Sequence, residues 1–288
     1  MAKIDLIKNR YYFYGFSLAL LFGGIILLFA FPMKFGIDLT GGNVLEVKVN
    51  KDLIQSFVSD LKIPETEIFS SNDSVIIKGK NIDKSAILSK IKEKDSTAEI
   101  ERFENISPSL SGELRKKALM AIILVLLAIG FYVAYAFRKK SGKINGMLLG
   151  IVVILSLFHD VVSSFGLFAV FSKYLNLELN ILAITAFLVI AGFSVHDTIV
   201  VFDRLRENIG KTGLLNKEIF NKSVNETIAR SINTSFTAIL SIIPLIFLLP
   251  HLHSFLLPLI FGIVIGTYSS IFIAVPLVYD FIRNRDGL

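Results

Sequence analysis

The chain contains no cysteine, which excludes disulfides, thiolate zinc sites and a cysteine nucleophile. Its few histidines, His159, His196, His251 and His253, are too scattered to make a metal site. Enzyme signatures are absent as well. There is no His-Glu-x-x-His. Gly192-Phe193-Ser194-Val195-His196 lacks the second glycine of a nucleophile elbow, and Gly210-Lys211-Thr212 lacks the first glycine of a P-loop because position 205 is leucine. The chain is therefore not expected to be an enzyme or to hydrolyse ATP.

With 288 residues, 53% hydrophobic side chains and a mean hydropathy of +0.65, the chain is too apolar for a soluble domain and too long for one anchor. It reads as a polytopic α-helical membrane protein. The net charge of +6 could suggest nucleic acid, but residues 34–114 hold 11 Lys/Arg against 14 Asp/Glu. The positive excess lies in short segments beside apolar runs, which is a topology signal. No nucleic-acid partner is expected.

Residues 1–10 precede an apolar run, 11–32, long enough to cross a roughly 30 Å hydrocarbon core. Ala30-Phe31-Pro32 supplies no small-x-small cleavage site, so the run reads as an uncleaved signal anchor. Residues 33–114 form the one polar block. Asn43–Val49 alternates like a strand, Asp52–Leu61 has helical spacing, Glu67–Ser70 and Ser74–Lys78 are short strands around Ser71-Asn72-Asp73, Asp83–Lys92 is helical and Ala98–Glu104 alternates again. The order βαββαβ predicts a small α+β, ferredoxin-like domain. Before it stands Phe35-Gly36-Ile37-Asp38-Leu39-Thr40-Gly41-Gly42. This segment precedes a strand, so it lacks the strand-to-helix geometry of a phosphate loop. It reads as a turn requiring positive φ at Gly41 and Gly42, with a binding role left open.

Residues 115–288 hold five more apolar segments: 119–137, 147–171, 179–202, 228–249 and 255–281. The N-terminus, Arg138–Lys143, Arg204–Lys222 and the Arg283/Arg285 tail are rich in Lys/Arg, whereas Ser172–Glu178 and Pro250–Ser254 hold one Lys between them. Both termini are therefore expected in the cytoplasm and the α+β domain outside.

Three helices carry polar stripes. Ser156, His159, Asp160, Ser163 and Ser164 share one face of the third helix, which should point into the bundle. The fourth aligns Thr185, Gly192, His196 and Asp203, with Asp197 turned by about 100°. The fifth aligns Arg230, Asn233, Thr234, Thr237 and Ser241. Together they predict a hydrated seam through the bundle, with helix packing as the alternative. Charge at bilayer depth costs at least about 2.5–3.5 kcal/mol, so Asp197 is a functional candidate; the other reading is that it only bonds a neighbouring helix. Asp197 lies about 9 Å from Asp203 at the cytoplasmic edge, where the fifth helix begins, so an Asp197–Arg230 ion pair is expected. Gly262 and Gly266 read as close-packing positions.

The stretch Gly192-Phe193-Ser194-Val195-His196-Asp197-Thr198, running on to Asp203-Arg204-Leu205-Arg206-Glu207-Asn208, resembles the signature of the SecF family. The family commonly has Asn where His196 stands. Phe35–Gly42, Phe158-His159-Asp160, Ala229–Ser235 and Gly266–Ala274 are similar to further family segments, in family order. The resemblance implies a fold of the resistance-nodulation-division superfamily, in which a SecD half pairs with this one in the bacterial inner membrane. It implies use of the proton-motive force to complete preprotein translocation through SecYEG, with YidC and YajC as further partners. It also places Asp197 and Arg230 at positions tied to proton flow. Protons would be the coupling ion, with no cofactor, at roughly 2.3 kcal/mol per charge per 100 mV. Two alternatives stay open: a proton-driven exporter of small molecules or lipids, and a scaffold that uses no gradient.

Overall fold

The computed structural model describes residues 5–54, 56–57, 66–71, 74–79, 82–138 and 144–286. It divides into two compact units, Met1–Lys34 with Leu119–Leu288, and Phe35–Ala118.

In the smaller unit, strands β1 (Gly42–Lys48), β2 (Thr66–Ser71), β3 (Ser74–Gly79) and β4 (Glu99–Ile106) form one antiparallel sheet in the order β2-β3-β1-β4. Successive side chains of a strand point to opposite faces, so Leu45 and Val47 of β1 and Val75 and Ile77 of β3 go under the sheet together. There they meet Phe57, Ile87 and Ile91 in one core. The helix Lys84–Lys92 begins one residue later than the spacing suggests, because Asp83 is its cap and accepts from the backbone N–H groups of Ser85 and Ala86. Of the helix predicted over 52–61, residues 55 and 58–61 lie outside the described residues. So do Asn72 and Asp73 of the predicted turn and 139–143 of the basic connector.

Gly41 and Gly42 have φ of 79° and 146°. A side chain on Gly41 would also meet the Pro108 backbone at 3.0 Å, so both conformation and space call for glycine.

Asp95, 7% exposed, closes the end of this sheet. It accepts from Asn50 N (2.7 Å), Thr97 N (3.0 Å) and Thr97 Oγ1 (2.5 Å). The Thr97 hydroxyl first, then the two backbone donors, hold its pKa below the usual carboxylate range. A depressed carboxylate pKa gives stability that is present above the unfolded value, about 3.9, and is lost as pH falls through the folded value. Acid unfolding of this unit, followed by circular dichroism, should therefore be less pH-dependent in Asp95→Asn; an unchanged pH profile would contradict that account.

Among the described residues, six helices are long and apolar enough to cross a membrane: Arg10–Ala30, Pro108–Ala136, Gly146–Leu175, Ile181–Thr212, Lys217–Leu248 and Pro250–Asn284. They run past the apolar segments at several ends because the stop and start residues lie in the flanking polar sequence. Asn145, Asn180 and Asn216 cap the third, fourth and fifth helices with their side-chain oxygens, and Gly213 ends the fourth at φ 67°. Beyond the apolar part of the fourth helix, Arg204 pairs with Glu207, Arg206 with Asp203 and Lys211 with Glu207 at helical spacing.

The third, fourth and sixth helices are the core, 56%, 50% and 67% buried over their apolar stretches, against 11%, 11% and 17% for the first, second and fifth. Small residues set the spacing, as expected where lipid gives no hydrophobic drive between helices. A Cβ on Gly166 of the third helix would lie 2.3 Å from Gly24 Cα of the first, and one on Gly266 would lie 2.8 Å from Ser194 Cβ. At the other end of the first helix Arg10 is buried and pairs with Asp280 (2.9 Å), which also accepts from the Tyr14 hydroxyl (3.0 Å).

Candidate proton-handling site

Asp160 of the third helix is completely buried. Its Oδ2 accepts from Ser194 Oγ of the fourth helix (2.6 Å) and from Ser269 Oγ of the sixth (2.7 Å). Its Oδ1 lies 2.9 Å from His159 Nδ1. The other ring nitrogen, His159 Nε2, lies 3.2 Å from the Ser17 carbonyl oxygen of the first helix. One carboxyl thus joins four helices, and the hydrogen bonds offset the desolvation that would otherwise expel it. The sixth helix changes character just after Ser269, with a π-helical turn over Ser270–Ala274. Such turns recur at functional sites.

Asp197 is a second buried carboxyl in the membrane-spanning helices, 2% exposed, and its Oδ2 has no hydrogen-bond partner among the described residues. It stands one turn from Ser194 on the same helix. Thr267 of the sixth helix, Ser231 and Arg230 of the fifth and the adjacent His196 are its polar surroundings. Leaving a buried carboxyl oxygen unsatisfied costs about 1–3 kcal/mol or more, which natural folds retain where the group has work to do. The hydroxyls of Ser156, Ser163, Ser164 and Ser231 are also buried without a partner among the described residues.

The stripe on the third helix does face inward: Ser156, His159, Asp160, Ser163 and Ser164 are all buried. The other two do not. Thr185, Gly192, His196 and Asp203 lie on the exposed side of the fourth helix, and Arg230, Asn233, Thr237 and Ser241 on the exposed side of the fifth. The expected seam inside this bundle is therefore confined to the third helix and its neighbours. The reason is that the fourth helix buries the opposite face, with Ala183, Ala186, Ile190, Ser194 and Asp197, and the fifth is peripheral. Nor is there an Asp197–Arg230 ion pair among the described residues; Asp197 is buried while Arg230 is exposed.

Arg204 bridges the fourth and fifth helices through Glu226 (2.7 Å), which also accepts from the buried Asn208 (2.9 Å), and Asp203 pairs with Arg206. Asp38 is half-buried in the first turn of the short helix Ile37–Thr40, ahead of Gly41 and Gly42. Sequence reasoning missed Ser194, Ser269, Thr267 and the Ser17 carbonyl. Ser194 was within reach, because Asp197 lies three residues on and shares its face. A backbone carbonyl as partner of His159 leaves no signal in sequence.

Membrane-length helices with a carboxyl–imidazole pair and a second carboxyl buried among hydroxyls define a multi-pass membrane protein whose interior can hold protons. The chain matches the description "Protein export membrane protein SecD/SecF, C-terminal" over residues 86–284 and "SecD/SecF GG Motif" over residues 26–52. It belongs to the SecD/SecF family. It is 34% identical over 307 residues to the protein translocase subunit SecF of Thermobaculum terrenum, covering 99% of this chain and 96% of that one. With the subunit of the same name from Petrotoga mobilis the identity is 33% over 312 residues, covering 99% and 98%. In structure it is similar to crystalline SecDF, a translocon-associated membrane protein from Thermus thermophilus, with a TM-score of 0.78 and 30% identity over 97% of this chain. It is similar too to SecDF in a super-membrane-facing form, with a TM-score of 0.74 and 28% identity over 100%. The chain spans 38% and 40% of those two SecDF chains.

Proposed function

We propose that this chain is a SecF-type subunit of the bacterial Sec export machinery, which pairs with a SecD-type partner and uses the proton gradient to complete preprotein translocation through SecYEG. One observation carries the reading. Polar side chains at membrane depth, His196, Arg230, Asn233, Thr237 and Ser241, lie on the outside of this bundle, and His196 adjoins the buried Asp197. Lipid cannot solvate such a face, so a second helical half covers it, and the covered space gives protons a polar route to Asp197. The match to only two fifths of SecDF fits a chain that supplies one half of that assembly.

On this reading Asp197, Arg230, His196, Asp160 and His159 are the coupling residues, Asp38, Gly41, Gly42, Asp203 and Arg204 hold the motifs in shape, and protons are the only coupling ion. The smaller unit, whose sheet order is that of a ferredoxin-like fold, lies outside the bacterial inner membrane with both termini in the cytoplasm. YidC and YajC belong to the wider complex. Affinity purification from native membranes in mild detergent tests the pairing. A SecD-type protein is expected in equal amount, and purification as a lone chain would overturn the proposal. In the same cells a cysteine at the exposed Ser89 should label from outside and one at Leu214 should not, since the chain has no cysteine of its own.

A further inference from the structure

The proton count around His159 sets a condition on the fold. Two acceptors face the imidazole ring: the Ser17 carbonyl at Nε2 (3.2 Å) and the Asp160 carboxyl at Nδ1 (2.9 Å). A carbonyl oxygen can only accept, so Nε2 must carry a hydrogen. The contact between Nδ1 and Oδ1 then also needs one proton between them, either on the ring as imidazolium against carboxylate or on the acid against neutral imidazole. Without that proton the neutral ring has a single N–H for two acceptors. The charged carboxylate is the stronger acceptor, so the hydrogen turns to Nδ1, and Nε2 is left with a lone pair against the Ser17 carbonyl.

We propose that the His159–Asp160 pair is a proton-operated latch between the first and third helices, closed on Ser17 while it holds its shared proton and released from Ser17 when that proton leaves. This deepens the proton-coupled reading above and rests on it for its purpose, since the first helix is the covalent lead into the smaller unit. Three further observations support it. The first helix packs on the third through backbone, with Gly24 against Gly166, so apolar side chains interlock little at that contact. Asp160 cannot follow the moving ring, because Ser194 and Ser269 hold Oδ2 from two other helices. Finally, Ser163, a turn further along and itself beside Gly24, has a buried hydroxyl without a partner among the described residues, so the interface holds polar capacity that a shifted helix could use.

The groups facing the pair are almost all hydroxyls: Ser194 from the fourth helix, Ser269 from the sixth, and on the first helix Ser17, whose Oγ lies 3.2 Å from the Tyr268 hydroxyl of the sixth. Asp197 stands one turn along the fourth helix from Ser194. Arg10 is seven residues, about 10 Å, from Ser17 and is paired with Asp280. The second helix carries no charged residue between Ala118 and Phe137. Closure therefore belongs to the acidic side of the transition and release to the alkaline side.

The absence of both cysteine and tryptophan gives a clean reporter. The rings of Phe31, which ends the first helix, and Tyr174 on the third are 6.3 Å apart. The full chain carrying Phe31→Trp and Tyr174→Cys, labelled with bimane at the cysteine, is titrated in nanodiscs from about pH 5 to about pH 9. Bimane should be quenched by the indole at acidic pH, and the quenching should be lost as pH rises. Asp160→Asn in the same background should stay quenched throughout. Its amide oxygen takes the two serine hydroxyls and its N–H donates to Nδ1, so Nε2 keeps its hydrogen on Ser17 whether the ring is neutral or cationic. Quenching that is flat in the parent, or a pH response that persists in Asp160→Asn, overturns the latch. A normal pH response in a chain whose export ignores an imposed gradient would keep the latch and sink the reading of function, while flat quenching with gradient-driven export would do the reverse.

Discussion

Asp197→Asn is expected to abolish the stimulation of preprotein translocation by an imposed proton gradient, measured in vesicles, while leaving membrane insertion and partner binding as they are. The substitution keeps the shape of the side chain and removes its ability to exchange a proton. Of the two buried carboxyls described in the membrane-spanning helices, Asp197 is the one with an oxygen unsatisfied and the one adjoining the outward-facing His196. Asp160, by contrast, has both oxygens occupied from within the chain. Asparagine should also fold well, because an amide is cheaper to bury than a charge. Undiminished stimulation in this variant would refute proton coupling through Asp197 and favour a scaffold that uses no gradient.

Gly166→Val should have the largest effect on the membrane unit itself. A Cβ at this position would stand 2.3 Å from Gly24 Cα, 2.4 Å from Gly24 O and 2.7 Å from Gly24 C, all backbone atoms that no rotamer change can move. The first helix must then leave the third, taking Ser17 away from His159. We expect a loss of about 3 kcal/mol or more, read as a lowered unfolding midpoint in detergent, with Gly166→Ala already impaired. Gly23→Ala is the control: its added Cβ meets nothing within 4 Å, and the change should be neutral or stabilise by up to roughly 1 kcal/mol. Equal midpoints for Gly166→Val and Gly23→Ala would show that the close approach is not needed.

Periodicity made Ser156, His159, Asp160, Ser163 and Ser164 legible as one face of a helix, and that face is the buried one. The same reasoning grouped Thr185 with His196 and Arg230 with Thr237 correctly but set them on the wrong side. In a soluble protein a polar stripe faces water. In a membrane helix both the core and the lipid side are apolar, so a stripe shows which residues share a face and not where that face points. Helix ends were displaced for a different reason. Hydropathy follows the part that crosses lipid, whereas Asn216 and Gly213 stop the helices well outside it. The α+β pattern of 42–106 was readable because one face of its sheet is buried on a core of its own, and alternation therefore has a fixed meaning there. The hydrogen bonds of Asp160 come from residues 34 and 109 positions away, and no local pattern encodes them.

The π-helical turn at Ser270–Ala274 settles a conflict of phase along the last helix. Ser269 must point at Asp160, and Asp280 must point at Arg10 and Tyr14. A π turn takes up one residue more than an α turn, and each α-helical residue advances the azimuth by about 100°. Were the same sequence wound as unbroken α-helix, fixing Ser269 would leave Asp280 roughly 100° off its partners. The sixth helix is thus two rotors in series with separate anchors, one set by the buried carboxyl and one by the guanidinium, and the turn between them keeps the two settings independent.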